Sequence, residues 1–387
     1  MTLLISTIAR RLYSSSARKP LTVLAFESSA DDTCVAVVTS ARQILSNVVI
    51  KQHDVHESWG GIHPAVAVMA HQRNMPIAAK RALQEAQIDI SQVDGIAFTR
   101  GPGIAGCLAV SCNAAKTLAA IHDKPIVGVH HMQAHALTVF LTSWPDTPSF
   151  PFLTLLVSGG HTLIVLAKSL TSFEILATTG DESIGRAFDK ISRMLELKWD
   201  DIGPGAALER FCASPESSSL PDGFIPFPRP MKGQLAFSYS SLHSHLERYL
   251  HFNGGIGAVT MPSRRAIART FQLAAFAQLE EKVLLALERC ANRNLNIQHL
   301  VVSGGVASNS WLRERLNICL QSAPNPVSVI FPPPSLCTDN AAMIAWASMH
   351  RFLEQDYDDY SINPLAKWSI EDVEQAKNLT EDYPQQK

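Results

Sequence analysis

No Cys-x-x-Cys pair occurs in this 387-residue chain, and its seven cysteines are an odd number. That excludes a zinc ribbon and a fully paired disulfide scaffold, and fits a reduced intracellular protein. No apolar run reaches the ~18 residues of a membrane-spanning helix, so no membrane insertion is expected. Basic residues are not in excess: 33 Lys and Arg face 35 Asp and Glu, a formal charge of −2. The balance excludes a globally basic nucleic-acid binder and confines any such contact to a local patch. Charged residues make up only 18% and hydrophobic residues 46%, which excludes a wholly disordered chain and supplies a sizeable core. At roughly 100–200 residues per domain, the length predicts two or three domains.

Acidic residues are missing from the start of the chain, where the first is Glu27. Residues 1–20 hold Arg10, Arg11, Arg18 and Lys19 with a run of serines, Ser14 to Ser16. An Arg- and Ser-rich, acid-free segment has the composition of a mitochondrial transit peptide, with a frayed basic tail as the alternative. Its apolar part, Leu3-Leu4-Ile5, is too short for a secretory signal. Cleavage is expected near Tyr13 to Lys19. Without those four basic residues the body carries 29 basic against 35 acidic residues, or −6.

What is present alternates. Short β-rich runs at 21–26, 35–39 and 44–50 predict a meander, followed by a helix at 66–87 that Pro76 should kink or divide. A strand at 93–99, a helix at 105–122 and a strand at 125–129 complete one round. A second round repeats the order, with strands at 153–157, 162–167 and 173–178, helices at 184–195 and 263–290, a strand at 300–303, a helix at 310–319, a strand at 327–331 and a helix at 339–352. The class is α/β, and two rounds of the same pattern predict a duplicated two-domain architecture with an interdomain cleft. The expected division is 21–150 and 151–352, with 353–387 a peripheral tail and 214–230, rich in Ser and Pro, a surface excursion.

Glycines cluster where strands end. Leu155-Leu156-Val157-Ser158-Gly159-Gly160 and Leu300-Val301-Val302-Ser303-Gly304-Gly305 both place Ser-Gly-Gly after a β-rich run. Such turns bring backbone N–H groups close to an anion, and in the second a helix start follows. Neither matches the Walker or the dinucleotide glycine pattern, so a phosphate site and two plain tight turns both stand. His131 and His135 lie four apart, on one face if helical, as metal ligands must. Chance alone supplies about half such a pair among 14 histidines, so metal ligation and packed histidines both stand. His-Glu-x-x-His is absent, since Met132, Gln133 and Ala134 intervene, which leaves no zinc-protease base beside His131. Asp339 opens an Ala-rich helix, where N-terminal charge complementarity is its simplest role. Arg264, Arg265 and Arg269, at a helix start, suit either a phosphate backbone or a solvated face.

Taken in order, several motifs resemble one family, the tRNA threonylcarbamoyladenosine transferases. They are Phe26-Glu27-Ser28-Ser29-Ala30-Asp31-Asp32-Thr33, Thr99-Arg100-Gly101-Pro102-Gly103, Gly128-Val129-His130-His131 with His135, Val157-Ser158-Gly159-Gly160-His161, Ala187-Phe188-Asp189-Lys190, Val302-Ser303-Gly304-Gly305-Val306-Ala307-Ser308-Asn309 and Thr338-Asp339-Asn340-Ala341-Ala342. The likeness runs from about Leu21 to Phe352. Three positions depart from the family pattern: Ala30 replaces Cys, Asp32 replaces Glu, and Pro64-Ala65 replaces Pro-Glu. The usual Pro-Gly-Gly-Pro reads Gly203-Pro204-Gly205-Ala206.

The resemblance implies an actin-like (ASKHA) fold. The implied activity transfers a threonylcarbamoyl group from threonylcarbamoyl-AMP to N6 of the adenosine 3′ of the anticodon, position 37, in mitochondrial tRNAs reading ANN codons, releasing AMP. An actin-like kinase and a metalloendopeptidase are the alternatives. His131, His135 and Asp339 match metal positions for one divalent ion per subunit, Fe(II) or Zn(II). Leu156, Val157, Ser158, Gly159 and Gly160 match the loop holding the carbamoyl-phosphate end of the ligand. Asp189, Gly205, Glu209 and Asn309 match positions around the adenosine, and Ser308 and Thr338 complete the substrate-binding set. Asp31 and Asp32 are nominated as proton acceptors. The implied partners are tRNA and a separate synthase supplying the adenylate; the organellar branch implies a homodimer in the mitochondrial matrix.

Overall fold

The computed structural model describes residues 19–375 except 58, 60, 201 and 324. All but the last two residues of the expected transit segment 1–20 lie outside the described residues.

Apolar, β-branched runs form two five-stranded sheets. The first comprises β1 (Thr22–Glu27), β2 (Thr33–Thr39), β3 (Ile44–Ile50), β4 (Gly95–Gly101) and β5 (Ile126–His130), in the order β3-β2-β1-β4-β5. The second comprises β6 (Phe152–Val157), β7 (Thr162–Ala167), β8 (Phe173–Thr178), β9 (His299–Ser303) and β10 (Ser328–Ile330), in the order β10-β9-β6-β7-β8. Counted within each round the two orders are identical. Each starts with an antiparallel meander, and each then adds two parallel strands beside its first strand. The expected duplication is therefore present strand for strand. β1 and β6 are buried along their whole length, as central strands covered on both faces must be.

The helices are α1 (His53–Glu57), α2 (Pro64–Ala86), α3 (Ala105–Ile121), α4 (His131–Thr142), α5 (Ile184–Met194), α6 (Pro204–Ala213), α7 (Ser240–Phe252), α8 (Met261–Asn292), α9 (Ser310–Gln321), α10 (Pro334–Cys337) and α11 (Ala341–Leu353). Pro76 does not divide α2, which runs through it unbroken. Two helices join the lobes. α4 buries Ala134 and Leu137 with the first sheet, and Met132, Ala136 and Val139 against Phe152 and Leu156 of the second. α11 falls inside the 151–352 span of sequence, yet Ile344, Ala345 and Phe352 pack in the core of the first sheet.

The segment after Leu353 is no loose tail. Gly128 N donates to Asp358 Oδ2 (2.7 Å), Leu365 N to Arg100 O (2.7 Å) and Gly103 N to Ala366 O (3.2 Å), all on the first lobe. Ile370 then enters the core of the second lobe beside Phe152 and Phe173, and Ile175 N donates to Glu371 Oε1 (3.0 Å). Residues 354–375 thus form a strap across both lobes.

The three arginines expected as a possible phosphate contact are turned inward. Arg264 donates to the carbonyls of Leu195, Ile256 and Val259. Arg265, almost fully buried, donates to Ser217 O and pairs with Glu216; Arg269 donates to Cys212 O, Ser214 O and Ser218 Oγ. Arg265 and Arg269 together pin the start of the 214–230 excursion to α8. The expectation that this cluster meets tRNA is overturned, because carbonyls within the fold already use these donors. Replacing Arg265 and Arg269 together by Ala should cost about 2–4 kcal/mol of stability, the loss of charge-assisted hydrogen bonds from partly buried groups. The salt dependence of tRNA binding should be unchanged. Thermal unfolding beside a salt titration checks both.

Candidate functional site

β5 runs directly into α4, and the junction is built by His130. Its Nδ1 accepts from Met132 N (3.1 Å) and Gln133 N (3.4 Å), which caps the helix. With Nδ1 accepting, Nε2 carries the proton and donates to Trp368 O of the strap at 3.2 Å. Burial pushes His130 down to about 3, so the cap stays neutral at ordinary pH. His131 and His135 then fall on the first two turns of the helix, both buried.

Their partner arrives from the far end of the chain. Asn340, not Asp339, caps α11, its Oδ1 accepting from Met343 N at 3.0 Å. Asp339 is thereby released from the helix-end role that sequence suggests. Its Oδ1 lies 3.1 Å from His135 Nε2 and 3.5 Å from His131 Nε2. One ligand atom from each of the three lies within 4.8 Å of the others, a group able to hold a metal ion. The other ring nitrogens are occupied, with His131 Nδ1 3.2 Å from Glu27 Oε2 and 3.3 Å from Ser29 Oγ, and His135 Nδ1 3.5 Å from Ser303 Oγ. Both Nε2 atoms thus face the carboxylate, the arrangement in which outer partners orient imidazole ligands.

Glu27 is the residue whose part sequence did not single out. It is fully buried at the end of β1, accepting from Ser29 N (2.5 Å) and from Thr99 Oγ1. Burial raises a carboxyl, but His131 outweighs it, and Glu27 stays below its ordinary value. Burial likewise opposes charge on His131, yet Asp339 and Glu27 push that imidazole up to about 10. Only the motif spacing, four residues before Asp31, could have pointed to Glu27. Replacing it with Gln should weaken metal binding about 10–100-fold, the usual effect of an outer-shell partner, while Asp339→Ala should remove it outright. Metal titration of both variants separates the two.

Two glycine turns meet beneath the cleft. A β-carbon on Gly304 would lie 2.3 Å from Val157 O, and one on Gly185 would lie 2.5 Å from Ser158 O, so the 157–159 backbone is held between two glycines. Ser183 Oγ donates to Gly159 O at 2.5 Å. A β-carbon on Gly159 or Gly160 would meet nothing within 4 Å. Packing does not demand glycine there, and the space beside these backbone groups is open. His161, next in line, is pushed down to about 4, by burial first and the His131 charge second. Leu156 and Val157 are buried strand residues behind the turn and pack in the cores on either side of β6.

The remaining predicted positions line the second lobe's side. Asp189 on α5 is raised to about 7, chiefly by burial, with Asp31 of the first lobe adding to the rise. A β-carbon on Gly205 would lie 3.8 Å from Asp189 Oδ1. Glu209 Oε1 accepts from Ser310 N (2.8 Å) and Ser310 Oγ (2.7 Å), beside Asn309, which caps α9. Ser308 donates to Gly305 O at 2.6 Å, and Thr338 Cγ2 would lie 3.9 Å from a β-carbon on Gly305. Asp31 is raised by burial and by Asp339; Asp32 is raised well above its ordinary value by burial and by Asp31. Asp32 Oδ1 is buried with no hydrogen-bond partner. The charge of Asp339 thus reaches Asp31 and Asp32, and that of His131 reaches His161 beside the open glycine turn.

A family model for tRNA N6-adenosine threonylcarbamoyltransferase (TsaD) matches residues 43–346. The mitochondrial tRNA N6-adenosine threonylcarbamoyltransferase of Schizosaccharomyces pombe is 37% identical over 92% of this chain and 88% of its own length. The chain belongs to the tRNA N6-adenosine threonylcarbamoyltransferase family. A transferase of that name from Persephonella marina is 36% identical, covering 89% of this chain and 94% of that protein. A probable mitochondrial one from Arabidopsis thaliana is also 36% identical, over 93% of this chain and 77% of its own length. Among solved structures, HypF from T. kodakarensis superposes with a TM-score of 0.56 at 13% identity, over 89% of this chain and 50% of that one, and a second HypF, phosphate- and nucleotide-bound, with 0.51 at 14%. These bear on the fold alone, an actin-like pair of α/β domains. The family's reaction, carried out by this transferase, moves a threonylcarbamoyl group to N6 of A37 in tRNA. No helix among the described residues is long and apolar enough to cross a membrane.

Proposed function

We propose that the cleft holds threonylcarbamoyl-AMP with its carbamoyl-phosphate end on residues 156–160 and its adenosine beside Asp189, Gly205, Glu209 and Asn309, with Ser308 and Thr338 at the junction. What carries this is the open space at Gly159 and Gly160, next to His131, His135 and Asp339. Attack by a weakly nucleophilic aromatic amine builds charge on the carbamoyl oxygen and the leaving phosphate, so fixed donors help more than a strong base. A divalent ion on the two imidazoles and the carboxylate, Fe(II) or Zn(II) by donor type, supplies electrophilic polarisation when bound. The Ser158 and Gly160 amides are bonded inside the turn, to His161 O and Ser158 Oγ, so the Gly159 amide and the open space beside it take the phosphate and AMP as it leaves. Asp31 or Asp32, both raised by burial, takes the N6 proton.

The donor comes from a separate synthase, the protein acts as a homodimer, and it works in the mitochondrial matrix on tRNAs reading ANN codons. The basic, acid-free start and the mitochondrial relatives support that location. Sequencing the N-terminus of the native protein tests the import: an intact Met1 in a cytosolic pool refutes it. The decisive experiment combines the protein with unmodified tRNA, threonine, bicarbonate, ATP and a purified synthase. Threonylcarbamoyladenosine in the nucleoside digest is the expected product. Adenylate formed by the synthase without modified tRNA would refute the activity.

A further inference from the structure

With Arg264, Arg265 and Arg269 spent inside the fold, an acidic protein must grip tRNA elsewhere. The mouth of the cleft offers the chemistry. On the second lobe, Arg186, Asp189 and Arg193 sit three and four residues apart on α5, and so share one face two turns long. Both arginines are exposed, and neither forms a close ion pair among the described residues; both charges act on the Asp189 carboxyl, and Arg193 Nε donates to the Asp189 carbonyl at 3.3 Å. On the first lobe, the turn after α1 carries Trp59, a large indole left 59% exposed. Trp59 N donates to His56 O and its ring lies against His63, with centroids 4.4 Å apart. The two sides approach each other. A β-carbon on Gly61 would lie 3.9 Å from Arg193 Nη1, and one on Gly203 would lie 3.1 Å from His53 Cε1. Behind this rim stand Asp31 and Asp189, close enough for each charge to act on the other.

We infer that Trp59, Arg186 and Arg193 form the anticodon-loop grip, the indole stacking on an unpaired loop base and the two guanidiniums holding the flanking phosphates. Position 37 lies in a single-stranded loop, and such loops are held by aromatic faces and arginines rather than by groove readout. The two arginines stand two helical turns apart, about 10 Å along α5, a span suited to two phosphates of a bent strand. The acceptor base is then splayed inward, toward the acids and the metal group. This rests on tRNA being the acceptor.

The test is fluorescence anisotropy with unmodified transcribed tRNA across a salt series, on the full chain, beside metal content and binding of AMP. Trp59→Ala should raise Kd about tenfold with an unchanged salt slope, and Trp59→Phe should restore most of it. Arg186→Ala with Arg193→Ala should raise Kd at least as much and lower the slope of log K against log salt by about 1.4, the share of two single-strand phosphate contacts. AMP binding and metal content should stay at wild-type levels in every variant. Arg229→Ala with Lys232→Ala, an exposed basic pair on the second lobe, should change nothing. Wild-type affinity and slope in the Trp59 and arginine variants would overturn the grip while leaving the transferase reading intact. Failure of the wild-type protein to bind tRNA at all would overturn that reading first.

Discussion

Asp339→Ala should reduce transfer by about a thousandfold or more and take the metal with it, while the fold survives. The size follows from losing several kcal/mol of electrophilic stabilisation together with the ligand that closes the group. Survival of the fold follows from the local wiring: Asn340 caps α11 and Leu336 O accepts from Asn340 Nδ2, so no helix end depends on Asp339. Replacing His135 should act alike. His130 should behave differently, because it caps α4 and its loss loosens the helix rather than deleting a ligand. The measurements are metal analysis and single-turnover rate for each variant; a His131→Ala protein that keeps both would end the ligand assignment. A pH effect follows with a definite sign. In the metal-free protein His131 is raised to about 10, so a metal must displace its proton. Apparent metal affinity should therefore fall as pH falls, by up to about tenfold per unit between pH 8 and 6.

Gly304→Ala should be strongly damaging. Gly304 sits at φ +101, a conformation L side chains resist, and the added carbon would press on the carbonyl of Val157 at 2.3 Å. The obstacle is backbone at the end of a buried central strand, which cannot rotate away. Strain and overpacking together should cost about 2–5 kcal/mol. Any relief must move the 157–160 turn, so affinity for AMP should fall as well. Gly160→Ala is the control, since its methyl meets nothing. It should leave stability within about 1 kcal/mol yet still weaken AMP binding if the open space there is the phosphate seat. Thermal unfolding and calorimetric titration with AMP distinguish the two. A Gly160→Ala protein with full AMP affinity would show that the phosphate sits elsewhere.

The strands were legible because both sheets are built of β-branched runs closed by glycine or polar turns, and each predicted strand lies within a residue or two of its place. The duplication was legible for the same reason: strand order is carried by connection lengths. His131 and His135 were legible as a pair through spacing, but Asp339 only through the family likeness, since nothing local tells a helix-opening acid from one aimed across a cleft. Asn340 settles that, and its capping role depends on backbone angles that composition does not encode. Glu27 stayed hidden because a carboxylate at a strand end looks like any turn acid until its burial against His131 is seen. Arg264, Arg265 and Arg269 misled because neighbouring charges in sequence say nothing about which way a helix is rotated. Helices α6 and α7 were not singled out, lying on either side of a Ser- and Pro-rich stretch.

The strap has a consequence for the order in which the protein is made. Synthesis proceeds from the N-terminus, so the first sheet emerges complete by His130 while two of its covers, α11 and residues 354–366, are still unmade. Val23, Ala97 and Val129, which α11 covers, stay without that partner until the last tenth or so of the chain arrives. Such late, long-range closure slows folding and leaves apolar strands open meanwhile. The nascent first lobe is therefore a natural client for chaperones.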